Sequence, residues 1–367
     1  MLRLQVSLPS RYREADEATL QEWIGAAKAK LGSDLIILGH HYQRDEVYRW
    51  ADATGDSYKL AKYAANHPES RYIVFCGVHF MAESADILTS ANQIVILPDL
   101  NAGCSMADMA PIDALEEAWD FMSAVLDIDD VMPITYINSS AAVKAFVGKR
   151  GGAVCTSSNA AKVIEWGLAQ KSKVFFLPDQ HLGRNVARSM GYGEADEFIW
   201  DPDADFADID EVALKRSTFV LWKGHCSVHQ RFKPEMVEEF RSRYPQGYVI
   251  VHPECAHEVV LLADFVGSTE YIRKTISEAD APSVWGVGTE IHLVQRLAKE
   301  MEPQGKTVMS LDPIICPCST MFRIDAAHLA WCLERLVEGE VVNQISVDEE
   351  TARFARLALE RMLAIAG

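Results

Sequence analysis

The stretch ILGHHY, residues 37–42, is an apolar run that ends in three side chains able to bond a ligand or move a proton: His40, His41 and Tyr42. The same plan returns twice. PITYIN (133–138) ends in Tyr136, Ile137 and Asn138, and VIVHPE (249–254) ends in His252, Pro253 and Glu254. After each triplet a small polar cluster opens a helical stretch: Gly55-Asp56-Ser57, Thr156-Ser157-Ser158 and Gly267-Ser268-Thr269. His40 to Ser57 spans 17 positions, and so does His252 to Thr269. Tyr136 to Ser157 spans 21, so the middle copy carries a small insertion.

The cysteines keep the same register. Ser57 to Cys104 is 47 positions, and Thr269 to Cys316 is again 47. The middle copy reaches Cys226 after 69, its surplus absorbed by the acidic stretch 193–217. Repeated spacing of this kind marks an internal triplication, and the units are too large and too few for a solenoid. Between the polar clusters, apolar runs such as YIVFCG, KVFFLP and SVWGVG alternate with amphipathic stretches such as DSYKLAKYAAN. That alternation predicts parallel sheets flanked by helices. The expected fold is α/β: three homologous αβα-sandwich domains with parallel sheets around a pseudo-threefold axis, with an active site at the centre. The expected boundaries are a helical lead-in over 1–33, repeats over 34–125, 126–246 and 247–325, and C-terminal helices over 326–367.

The formal net charge is −18, which argues against a nucleic-acid surface. No apolar run is long enough for a membrane helix. The N-terminal stretch has no signal-peptide core, so a cytoplasmic location is expected. Eight cysteines in such a chain read as thiols or metal ligands rather than disulfides.

In parallel α/β sheets, ligands gather beyond the carboxyl ends of the strands. Cys104, Cys226 and Cys316, one from each copy, could there hold zinc with an open fourth position, or a [4Fe–4S] cluster with one iron lacking a thiolate. All-sulfur ligation favours the cluster. Ser57, Ser157 and Thr269 mark helix N-termini, which attract carboxylates and phosphates without Lys or Arg. His40, Tyr42, His252 and Glu254 add proton-transfer capacity. Cys76, Cys155 and Cys332 read as core. Cys255, in HPECAHEVV (252–260), has no counterpart in the other copies.

The motifs GHHYQRDEV (39–47), ADATGDS (51–57), LPDLNAGCSMADM (97–109), TYINSSAAVKA (135–145), VCTSSNA (154–160), LPDQHLGRNVA (177–187), LWKGHCSVHQRF (221–232), VHPEC (251–255) and CPCSTM (316–321) together resemble quinolinate synthase. The resemblance implies three αβα domains around a pseudo-threefold axis, with a [4Fe–4S] cluster on Cys104, Cys226 and Cys316. It implies condensation of iminoaspartate with dihydroxyacetone phosphate to quinolinate, with loss of phosphate and water, in de novo NAD synthesis. His40, Ser57, Tyr136, Ile137, Asn138, Ser157, His252, Pro253, Glu254 and Thr269 match substrate-binding positions, and Tyr42 matches a catalytic tyrosine. Tyr42, His252 and Glu254 are expected to carry protons. Ser227 stands where some relatives have His, while His229 remains in the motif, and Cys318 is a minor alternative ligand. Functional coupling to L-aspartate oxidase is also implied. The competing readings are another [4Fe–4S] hydro-lyase acting on a small polycarboxylate, and a non-catalytic iron–sulfur redox sensor.

Overall fold

The computed structural model describes residues 5–314 and 317–366. Its strands begin with β1 (Leu35–His40), β2 (Ala53–Gly55), β3 (Tyr72–Cys76) and β4 (Ile94–Ile96). They continue with β5 (Val131–Tyr136), β6 (Ala153–Cys155), β7 (Lys173–Leu177), β8 (Glu197–Trp200) and β9 (Phe219–Trp222). The remainder are β10 (Tyr248–Val251), β11 (Phe265–Val266), β12 (Ser283–Gly288), β13 (Lys306–Ser310) and β14 (Gln344–Ile345). Every residue of β1, β5, β7 and β9 is buried, as expected for parallel strands covered on both faces.

These strands form three sheets. Their orders are β14-β4-β3-β1-β2, β6-β5-β7-β9-β8 and β11-β10-β12-β13. Every pairing is parallel except β14 on β4. Without β8 and β14, all three sheets share one order, with the second strand beside the first, then the third, then the fourth. The acidic stretch that lengthens the middle copy is where β8 lies, an added edge strand beside β9.

The repeat also holds at the level of single bonds. Asp52 accepts from the Ile37 N–H at 2.8 Å and returns its own N–H to Ile37 O at 2.7 Å. Asp264 does the same with Val249, at 2.7 and 2.9 Å, and each member of this second pair lies 212 positions after its counterpart. Asp56 caps the helix Ser57–Ala65 through the Lys59 N–H, and Ser268 caps Thr269–Glu278 through the Tyr271 N–H. Ser57 and Thr269 are thus the first residues of these helices rather than their caps, and both side chains are buried.

The chain divides into two compact units. The first contains the described residues of Met1–Cys104, Glu290–Arg296 and Cys316–Asp348. The second contains those of Ser105–Thr289, Leu297–Ile315 and Glu349–Gly367. In the first unit, helix Ala326–Val337 lies beside helix Glu17–Leu31 and buries Leu329, Trp331, Cys332 and Leu333. In the second, helix Glu349–Ala366 lies against helix Ala141–Lys149. The approach is closest at Gly148, where a Cβ would stand 1.9 Å from the Phe354 carbonyl oxygen, so only glycine fits. Arg361 fastens the contact by donating to Gly148 O at 3.0 Å and Gly152 O at 2.7 Å.

Candidate active site

In the first unit, β1 delivers His40 at its last residue, with His41 and Tyr42 in the turn that follows. His40 is buried and Tyr42 half-buried, and their rings meet edge to face at 4.9 Å. The Tyr42 N–H donates to His40 Nδ1 at 3.1 Å. With Nδ1 accepting, the ring proton of a neutral imidazole belongs on Nε2.

The second unit repeats this arrangement after β10. The Glu254 N–H faces His252 Nδ1 at 3.4 Å, so His252 also carries its proton on Nε2. The two histidines, 212 positions apart, therefore present the same N–H donor. Around Glu254 the polar groups are close. His229 Nδ1 stands 2.7 Å from Glu254 Oε2, and His229 Nε2 lies 3.2 Å from Thr289 Oγ1. The Tyr136 hydroxyl also donates to the Glu254 carboxylate. The His229 and His252 rings stack at 4.5 Å. Burial alone would raise the Glu254 carboxyl, but the neighbouring imidazoles and the hydrogen bonds from His229 and Tyr136 hold it below the ordinary carboxylate range. Burial pushes His252 down to about 3, so its imidazole is neutral.

Cys226 belongs to this group: its sulfur, a ring nitrogen of His229 and a carboxylate oxygen of Glu254 all lie within 4.8 Å of one another. Asp179, fully buried, stands beside them. It takes N–H bonds from His181 at 2.7 Å and Leu182 at 2.9 Å, and the Cys226 N–H also favours its charged form. Burial and the Glu254 charge nevertheless push it well above the usual carboxylate range.

Exposure sorts the thiols. Cys76, Cys155, Cys255 and Cys332 are fully buried, and burial raises each of them. Cys104, Cys226 and Cys318 are half-buried, although burial raises Cys318 as well. Cys316 lies outside the described residues. The group Cys226, His229 and Glu254, one thiol, one imidazole and one carboxylate, could hold a metal ion. Of the other expected positions, Ile137 and Pro253 are buried, Asn138 and Ser157 half-buried. Ile137 N donates to Cys155 O at 2.8 Å, tying the triplet after β5 to its edge strand.

Comparison with known proteins decides the family. The family model described as Quinolinate synthetase A protein matches residues 22–364. The chain belongs to the quinolinate synthase family. A quinolinate synthase of Acidobacterium capsulatum is 55% identical over 357 residues, covering 97% of this chain and 95% of that one. One from Streptomyces coelicolor is 55% identical over 341 residues, covering 93% and 86%. One from Geobacillus thermodenitrificans is 52% identical over 364 residues, covering 98% and 97%. The chain is accordingly an enzyme of the quinolinate synthase type, and no described helix is long and apolar enough to cross a membrane.

Sequence reading gave His229 no role, although the structure sets it against Glu254. Its three-residue spacing from Cys226 was the available signal. Asp179 was also missed, because the donors it meets are backbone N–H groups of His181 and Leu182 that no spacing reveals.

Proposed function

We propose that the enzyme condenses iminoaspartate with dihydroxyacetone phosphate to give quinolinate, phosphate and water, within three repeats bounded near residues 34–125, 126–246 and 247–325. The observation that carries this reading is the buried group Tyr136, Glu254, His229 and His252 beside the Cys226 thiol. It combines hydrogen-bond donors for a polycarboxylate with an anionic base, in surroundings that exclude water. A [4Fe–4S] cluster on Cys104, Cys226 and Cys316 would supply a Lewis-acidic iron to polarise a substrate oxygen.

The chain's own residues do the rest. The Nε2–H groups of His40 and His252 donate to substrate carboxylate or phosphate oxygens. Ser57, Ser157 and Thr269, at or near the starts of helices, add hydroxyl and backbone donors for the same anions. Tyr136, Ile137, Asn138 and Pro253 shape and orient the pocket wall. Glu254, held ionised by His229 and Tyr136, accepts the proton removed when the carbon–carbon bond forms, and Tyr42 moves a proton during the later dehydrations. The enzyme is placed in the cytoplasm and receives its unstable imine from L-aspartate oxidase.

The test is anaerobic purification with iron and sulfide analysis, followed by an assay with the two substrates. Iron and sulfide present without quinolinate formation would remove the reaction and favour a sensor or another hydro-lyase. Quinolinate formed by protein lacking iron would remove the cluster's part.

A further inference from the structure

Each polar triplet lies at a turn with backbone carbonyls that accept side-chain hydrogen bonds, and a buried carbonyl needs a donor. Arg296, on helix Ile291–Met301, supplies several in the first unit. Its Nη1 donates to His41 O at 2.9 Å, its Nη2 to Gln43 O at 2.5 Å and its Nε to Asp45 Oδ1 at 3.1 Å. Its guanidinium also lies 3.6 Å over the Tyr48 ring. Asn185, on helix Gln180–Ser189, holds the corresponding turn of the second unit. Its Nδ2 donates to Pro253 O at 2.8 Å and Cys255 O at 2.9 Å, and its Oδ1 meets His257 Nδ1 at 2.8 Å.

The three points of attachment correspond one to one: 41 with 253, 43 with 255 and 45 with 257, each 212 positions apart. The clamps correspond as well. Asn185 and Arg296 are 111 positions apart, as are Asp179 and Glu290, the acids that receive N–H bonds at the starts of their two helices. Each clamp follows its acid by six residues. In the middle copy the equivalent carbonyl, Ser139 O, is taken instead by Lys144 Nζ from the helix Ala141–Lys149. Asn185 and Arg296 are 7% and 9% exposed, so these bonds compete little with water.

We propose that Arg296 and Asn185 are equivalent positioning residues. The helix after the third strand of one repeat fixes the triplet turn of another, Arg296 setting His40 and Tyr42, and Asn185 setting His252 and Glu254. This rests on the reading that those residues act on substrate. A guanidinium spanning two carbonyls and a carboxylate fixes a plane, which a lysine ammonium does not. A displacement of one ångström at a reacting group costs about 100-fold in rate.

The test uses the holoenzyme with Arg296→Lys and Asn185→Ser, read by backbone hydrogen exchange, iron content and steady-state kinetics, with Tyr42→Phe alongside. Arg296→Lys is expected to speed exchange over residues 41–48 and leave 253–260 as they are; Asn185→Ser is expected to do the reverse. Each should lower kcat about 100-fold with iron retained. In the Tyr42→Phe background, Arg296→Lys should add clearly less than its full loss of about 100-fold, because part of its effect runs through that tyrosine and only the part carried by His40 remains. Loosening of both turns by either variant, or of neither, overturns the proposal, as does an unchanged kcat. If Arg296→Lys does not fold, the exchange pattern and rate of Asn185→Ser decide. Wild-type turnover by Tyr42→Phe would instead refute the role of Tyr42, leaving the clamp to be judged by exchange.

Discussion

Glu254→Gln separates proton chemistry from architecture. The substitution keeps the shape of the side chain and removes its charge. In the structure His229 Nδ1 stands 2.7 Å from that carboxylate, which also accepts from the Tyr136 hydroxyl. An amide has one acceptor oxygen, so one of these donors would face an NH₂ group instead. Loss of one charge-assisted bond costs about 1.5–3 kcal/mol. Removing a buried anion recovers desolvation of similar size, so the melting temperature should move by only a few degrees. Activity should respond differently. Removal of a general base lowers kcat by about 10²–10⁴-fold, equivalent to roughly 3–5 kcal/mol of barrier. The assay is quinolinate formation under anaerobic conditions, with iron content and melting temperature measured on the same preparation. A kcat near wild type would refute the base. A loss of iron in step with activity would show that Glu254 serves the metal group rather than the proton.

Three further outcomes are expected. Cys316→Ser should abolish iron binding while Cys318→Ser keeps most of it; iron analysis giving the opposite order would show the repeat register to be wrong. Gly148→Ala should lower thermal stability by about 3 kcal/mol or more, since a contact of 1.9 Å forces helix Glu349–Ala366 off its seat. An unchanged melting curve would contradict that packing. Asp52→Asn and Asp264→Asn should each cost about 1–3 kcal/mol, because each weakens a charge-assisted bond to a strand N–H. Chemical denaturation showing a cost for only one of the two would break their equivalence.

Much of the fold was legible because its decisive features are strings of adjacent residues. Runs such as ILGHHY and KVFFLP form central strands, and buried parallel strands are continuous hydrophobic runs. The short edge strands β2, β6 and β11 were not foreseen as strands, since two or three residues carry no period. The first and third hydroxyl clusters do open helices, capped by Asp56 and Ser268 one residue before Ser57 and Thr269, whereas the helix after the middle cluster starts only at Ala160, three residues past Ser157, which lies in the preceding turn. Spacing pointed to the cysteines and the triplets. It could not show that His229 would meet Glu254, or that Asn185 and Arg296 would serve backbone oxygens, because main-chain acceptors have no residue identity to align.

The clamps have a consequence for building with these modules. Excised alone, the first copy would lose the arginine beneath its tyrosine turn, since that arginine is encoded some 250 residues later. A chimera that exchanges one copy between relatives should therefore carry across the donor helix of its neighbour, or else match residue types at positions 185 and 296. The natural unit of inheritance is a turn together with the distant helix that grips it.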